Sequence, residues 1–442
     1  MLFSKANCGT FSTSVIIQAC GAATGILTAR LLGPASRGEL ATVILWPTIL
    51  SNLGLMGCNW AVAREVAKKP KNEGDWIAAG TAVGLATACI FFAAGYFLLP
   101  WLLPADRRYL LPVTRLFLLL LPLDILNQVL LAVEHGRMRW RRYNLLRLSF
   151  FVFYFIMISL IGITKRVQIR WFVVAFLASQ LLSLLVRVWV HRKSFVVGKS
   201  FLHECSHLMR QGMPFFGATI SNLISLQLDT ILVVALFNAE AAGIYAVACA
   251  FANGQSSLGE ALGITSFAVL SNEKDSKNRE KIITETFRQS TLISCAVGIA
   301  LSCLIPILVG PLFGFAYAKS VRPAMLLALS AAVMGSANIL NQGLRGAGRP
   351  QAGLLSQLIG AGVMALSVVF FLRGFELMGM AFAVGISACV QLLVLIIAAA
   401  EWLEISPFQF WPFGAGNFRL FFQQVADLRF RYLRIPASIS AD

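Results

Sequence analysis

Thr28–Ala41 reads TARLLGPASRGELA. One apolar run, near residues 11–31, ends inside it, and a second, near 40–63, begins inside it. Each is about the 20 residues that a helix needs to cross the roughly 30 Å hydrocarbon layer. Outward from this joint the same pattern repeats, near 77–99, 111–134, 148–164, 171–190, 213–236, 244–268, 287–309, 321–344, 352–372 and 380–400. The expected fold is therefore an all-α integral membrane protein with about 12 transmembrane helices, since a helix satisfies its own backbone groups in lipid.

Composition agrees. Of the 442 residues, 58% are hydrophobic and only 13% charged, and the mean hydropathy is +0.75. So much apolar surface does not fit one soluble core. The opening MLFSKANCGTF carries one lysine and no small-residue cleavage site behind a short apolar run, so the first span is expected to remain as an anchor. The nine cysteines lie mostly within spans, as Cys20, Cys58, Cys89, Cys249, Cys295, Cys303 and Cys389, without a paired CxxC spacing. They read as small apolar residues, and no disulfide, metal or other cofactor is expected.

The formal charge of +17 does not point to nucleic acid, because the basic residues alternate between loops. With the amino terminus placed in the cytoplasm, that side collects 26 of the 37 lysines and arginines. Among them are Arg64, Lys68 and Lys69, then Arg137, Arg139, Arg141, Arg142 and Arg147, then Arg187, Arg192 and Lys193. The positive-inside rule then puts both termini in the cytoplasm.

The longest polar interval, 191–212, divides the chain. The expected organisation is a six-helix bundle over 1–190, a cytoplasmic linker over 191–212, a second six-helix bundle over 213–400 and an interfacial amphipathic tail over 401–442. An internal echo supports the cut: Leu31, Leu32, Gly38 and Ala41 stand 205 positions before Leu236, Phe237, Gly243 and Ala246. Two parallel six-span repeats are a common plan for secondary transporters. The glycine pairs Gly21 with Gly25, Gly80 with Gly84 and Gly259 with Gly263 would let helices approach closely.

Four places in this pattern stand out: Arg30-Leu-Leu-Gly33-Pro34 with Gly38, Gly57 through Arg64-Glu65, Asp229 followed by Gly243-Ile-Tyr245, and LRGAGRP at Leu344 to Pro350. In their order and spacing they resemble the polysaccharide transporter branch of the multidrug, oligosaccharidyl-lipid and polysaccharide exporter superfamily. The resemblance implies a V-shaped pair of bundles around a central cavity, alternating access, and transport of lipid-linked sugars. Many relatives have two additional spans. Here an aromatic and arginine-rich tail follows residue 400, with Phe418, Phe421, Phe422, Val425 and Tyr432 on one helical face.

A charge kept within the membrane calls for an explanation. Asp124 shares a face with Asn127 and Gln128, Asp229 lies in a stripe with Ser225 and Asn222, and Glu260 follows Asn253, Gln255, Ser256 and Ser257. Two readings stand for these residues: a polar cavity lining, with Asp124, Asp229 or Glu260 binding a coupling ion, or hydrogen bonds that only hold helices together. If the cargo is a polyprenyl diphosphate, forked guanidinium donors suit its phosphates. Arg30, Arg115, Arg64 and Arg345 are the candidates, against snorkelling to the headgroups. His203-Glu204-Cys205-Ser206-His207 matches the zinc signature H-E-x-x-H. A catalytic zinc needs a third ligand, and none is placed to serve.

The expected function is a non-enzymatic flippase of the bacterial inner membrane. It would carry an undecaprenyl-diphosphate-linked oligosaccharide, an O-antigen or exopolysaccharide repeat unit, to the outer leaflet. No P-loop is present, so an ion gradient would drive it. The partners expected are the lipid-linked substrate, membrane lipid and polysaccharide assembly proteins. The rivals are a multidrug and toxin cation exporter of the same fold, a peptidoglycan-precursor flippase and, from another class, a membrane metalloprotease.

Overall fold

Backbone amides in hydrocarbon have no water to bond, and the chain answers with helices. The structure, a computed structural model, describes residues 5–69, 72–194, 201–272, 276–346 and 349–412. Among them there are helices and short 3-10 turns and no strand. The helices are α1 (Lys5–Gly54), α2 (Cys58–Lys68), α3 (Glu73–Leu102), α4 (Leu111–Phe117), α5 (Leu120–Gly136) and α6 (Trp140–Thr164). They continue as α7 (Ile169–His191), α8 (Phe201–Leu236), α9 (Ala239–Asn272), α10 (Ser276–Phe313), α11 (Val321–Gly346) and α12 (Pro350–Leu403). Eight helical stretches are long and apolar enough to cross a membrane, or up to ten when each bent pair is one span. The chain is a multi-pass membrane protein.

The opening joint shows how the longest stretch is cut. Ser12–Lys68 is 57 residues long, about 85 Å at 1.5 Å per residue and far more than one bilayer. It breaks at Gly33, whose φ of 73° and ψ of 173° leave the helical region. That conformation is open to glycine and costly for other residues. Pro34 then restarts the helix, where its missing N–H costs nothing. A second break at Leu55–Gly57 separates α1 from α2, and Gly57 is again left-handed, at φ 72°. In the same way α12 changes direction at Glu376, with φ 45° and ψ −125°.

The chain forms two compact units, residues 1–250 with 307–321, and 251–306 with 322–442. Two large apolar clusters hold the first. One joins Val62 and Val66 of α2, Trp76 and Ile77 of α3, Val129 and Val133 of α5, and Leu208 of α8. Another joins Leu40 and Val43 of α1 to Phe117 of α4, Ile158 of α6 and Phe172 of α7. A side chain on Gly80 would meet Val62 and Val129, and one on Gly84 would meet Ile125, so this pair does permit close packing. Gly21 and Gly25 have nothing within 4 Å of an added Cβ, so their spacing serves no contact here. Gly259 and Gly263 have side-chain positions outside the described residues.

The second unit closes its core with the start of the tail. Phe410, in a 3-10 turn at Pro407–Phe410, is buried against Phe287 of α10 at a ring distance of 5.6 Å. Arg288 donates to the Gln409 carbonyl. This portion of the expected interfacial tail is thus a packed cap, while Phe413 onward lies outside the described residues.

Candidate functional site

Gly38 and Gly243 are the two glycines of the sequence echo, and the fold brings them together. A Cβ on Gly38 would collide with the Ala239 carbonyl, and one on Gly243 with the Pro34 carbonyl. Pro34 and Ala239 also stand 205 positions apart. The contact is therefore reciprocal, each partner touching the counterpart of the residue that touches it, as across a two-fold axis. Backbone meets backbone here because neither position carries a side chain.

Two corners bind this junction. Arg107, in the 3-10 turn Ala105–Leu110, is buried and donates to the Thr42 hydroxyl at 2.8 Å and to the Phe237 carbonyl. Its counterpart in the later 3-10 turn, Phe315–Ser320, is Tyr317, which donates to the Ala29 carbonyl at 3.0 Å. Arg30 donates through Nε to the Leu312 carbonyl at 2.7 Å and through Nη2 to that of Pro311. Those carbonyls end α10, where a cation and N–H donors are both favourable. These contacts explain why 201–250 and 307–321 belong with the first unit.

Within the first unit the polar residues form two clusters. Ser51 donates to Asp124 Oδ2 at 2.8 Å, whereas Asn127, only 2% exposed, donates to the carbonyl and side-chain oxygens of Gln180, each at 3.0 Å. Asp124, Asn127 and Gln128 share one face of α5, spread over about 100°, and within it Asp124 meets α1 while Asn127 meets α7. Gln128 is half-buried beside them. Arg187, counted by sequence among the cytoplasmic loop charges, is instead 4% exposed inside the unit. It donates to the carbonyls of Asn127 at 2.6 Å and Leu146 at 2.8 Å.

The second cluster surrounds Asp229. Its Oδ2 accepts from the Tyr245 hydroxyl at 3.0 Å, and its Oδ1 accepts from the Thr230 N–H at 2.6 Å and hydroxyl at 3.2 Å. This joins α8 to α9. Tyr245→Phe removes one interhelical bond, a loss of about 1 kcal/mol in a membrane bundle, and thermal unfolding in detergent reads it directly.

The remaining candidates are dispersed. Arg115 is half-buried with its guanidinium 4.1 Å from the centre of the Tyr96 ring. Asn253 is exposed on α9, and Arg345 is half-buried at the end of α11. The side chains of Asn222 and Glu260 lie outside the described residues. Arg64 is exposed, and its Nη1 donates to Gln211 Oε1 at 3.0 Å. Nearby acids are taken by other cations: Glu73 pairs with Arg137 at 2.6 Å, and buried Glu134 lies 3.6 Å from Arg139 and from His191. His207 of the zinc-like motif packs on Trp76 and lies 3.6 Å from Glu65. Sequence reasoning missed Arg107, Tyr317, Ser51 and Gln180, each of which bonds a residue distant in sequence.

The profile of the polysaccharide biosynthesis protein family matches residues 5–258. No curated protein sequence matches. Among solved structures, the lipid II flippase MurJ in an inward closed conformation is 14% identical, covering 98% of this chain and 93% of its own, with a TM-score of 0.75. An inward-facing multidrug resistance MATE family transporter of the MOP superfamily is 13% identical, covering 88% of this chain and 94% of its own, at 0.72. An outward-facing MATE family transporter is 14% identical, covering 90% and 93%, at 0.63.

Proposed function

The chain belongs to the polysaccharide biosynthesis protein family and has the fold of MOP superfamily transporters, and from that premise we propose that it is a flippase. Its cargo in this proposal is a polyprenyl-diphosphate-linked oligosaccharide, an O-antigen or exopolysaccharide repeat unit, moved from the inner to the outer leaflet of a bacterial inner membrane. We take Ser12–Lys68 and α12 as two crossings each, and α9 as one, which gives twelve spans with both termini in the cytoplasm. Alternating access then requires the Gly38–Gly243 junction to open in one phase of the cycle. No covalent chemistry is needed, and Asp124, Asp229 and Glu260 are the carboxylates we assign to ion coupling.

The observation that carries the choice of an anionic cargo is Arg64. It is exposed, its hydrogen-bond partner is the neutral Gln211, and it has no carboxylate partner among the described residues. Arg115 and Arg345 are the further guanidinium groups in this proposal, with Gln128, Asn222 and Asn253 as sugar contacts; Arg30, held by the carbonyls that end α10, and Asn127, buried against Gln180, serve packing instead. That a lipid II flippase shares the fold supports a lipid-linked sugar as cargo.

A clean deletion tests the proposal. Surface polysaccharide is expected to disappear while lipid-linked repeat units accumulate in the membrane. Intact polysaccharide without accumulation would contradict it.

A further inference from the structure

A second close contact lies where α2 begins, at Gly57. A Cβ on Gly57 would run into the Gly212 carbonyl and lie 2.9 Å from Phe215 Cβ, and one on Gly212 would lie 2.7 Å from the Met56 carbonyl. This brings α2 and α8 near enough for their next side chains to meet. Trp60 stacks on Phe215 with ring centres 6.5 Å apart and planes 27° apart. One helical turn beyond Trp60, Arg64 meets Gln211. The edge of His135, from α5, meets Trp60 at 6.0 Å and 76°.

This shelf is open. Trp60 remains 49% exposed although rings from two other helices hold its orientation. An indole fixed in place yet half uncovered offers an aromatic face at little entropic cost. The faces of aromatic rings are electron-rich, and the flat side of a pyranose presents C–H groups that suit them. The Gln211 amide, whose oxygen accepts from Arg64, has N–H donors for hydroxyl groups. Arg64 adds a forked cation with no acid partner among the described residues, which suits phosphate oxygens.

We propose that Trp60, Phe215 and Arg64 form a loading site for the first sugar and the diphosphate of a polyprenyl-linked oligosaccharide, a proposal that rests on the flippase function above. The sugar lies against the Trp60 face and the diphosphate against Arg64. A phospholipid headgroup would satisfy Arg64 alone. It has no flat ring face to match a stacked aromatic pair.

Binding to the full chain in nanodiscs, read by native mass spectrometry, tests this with three probes: undecaprenyl diphosphate bearing one N-acetylglucosamine, undecaprenyl diphosphate without sugar, and phosphatidylglycerol. The native chain is expected to bind the glycosylated probe about tenfold more tightly than the sugar-free one, the scale of one good aromatic stack. Trp60→Ala should erase that preference without changing affinity for the sugar-free diphosphate, and Trp60→Phe should keep most of it. Arg64→Gln should weaken both diphosphates alike. If Trp60→Ala misfolds, Phe215→Leu puts the same question through the other ring. A preference that survives these variants, no preference in the native chain, or an equal loss for all three probes would overturn the loading site alone. Failure of both undecaprenyl probes to exceed phosphatidylglycerol would instead overturn the flippase function.

Discussion

Valine at Gly38 or at Gly243 is expected to abolish export and to lower stability by about 3 kcal/mol or more. Extra methylenes in a packed core typically cost about 1–3 kcal/mol, because neighbouring side chains shift to make room. No such yielding is available here. The obstacle at Gly38 is the Ala239 carbonyl, and at Gly243 it is the Pro34 carbonyl. Both are backbone atoms of helices whose ends are tied by Arg107, Tyr317 and Arg30. Gly25→Ala is the control: nothing lies within 4 Å of its added Cβ, so it should be neutral or gain up to about 1 kcal/mol of helix propensity. Thermal unfolding of the purified chain, beside export in cells, separates the two outcomes. Equal behaviour of Gly38→Val and Gly25→Ala would show that the junction contributes nothing.

Arg187→Ala carries the other large effect, a loss of about 3 kcal/mol or more, since hydrogen bonds from a charged donor are worth about 1.5–3 kcal/mol each. Arg187 of α7 bonds a carbonyl of α5 and one of α6 at once. Removing it leaves a cavity and two buried carbonyls without their donor. Lysine should not rescue the variant, because a single ammonium lacks the planar fork that reaches two carbonyls on different helices. Unfolding measured for Arg187→Ala and Arg187→Lys checks this, and equal stability of Arg187→Lys and the native chain would contradict it.

The same residues show what was legible beforehand. Gly33, Gly38 and Gly243 were visible because a helix joint and a repeat leave a spacing in the sequence, and the reciprocal Pro34–Gly243 and Gly38–Ala239 contact gives that spacing its physical cause. The position of Arg30 at a helix end was visible too. Its partners, the Pro311 and Leu312 carbonyls, were not, since they are backbone atoms some 280 residues away that carry no residue-type signal. Arg187 was misplaced because a charge near the end of an apolar run looks the same whether it enters a headgroup layer or turns into a bundle. Asp229 and Tyr245 stood within one recognisable motif, but the hydrogen bond joining them depends on α8 and α9 packing side by side. Half-exposed Trp60 passed unnoticed among apolar neighbours, since only its pairing with Phe215 marks it out.

The location of lipid-linked repeat units across the membrane tests the central claim most directly. In spheroplasts depleted of this protein, a membrane-impermeant lectin or glycosidase added outside should find almost none of the accumulated units. Re-expression of the native chain should expose them, while Gly243→Val should not. Outer exposure that is equal with and without the protein would contradict its role as the flippase.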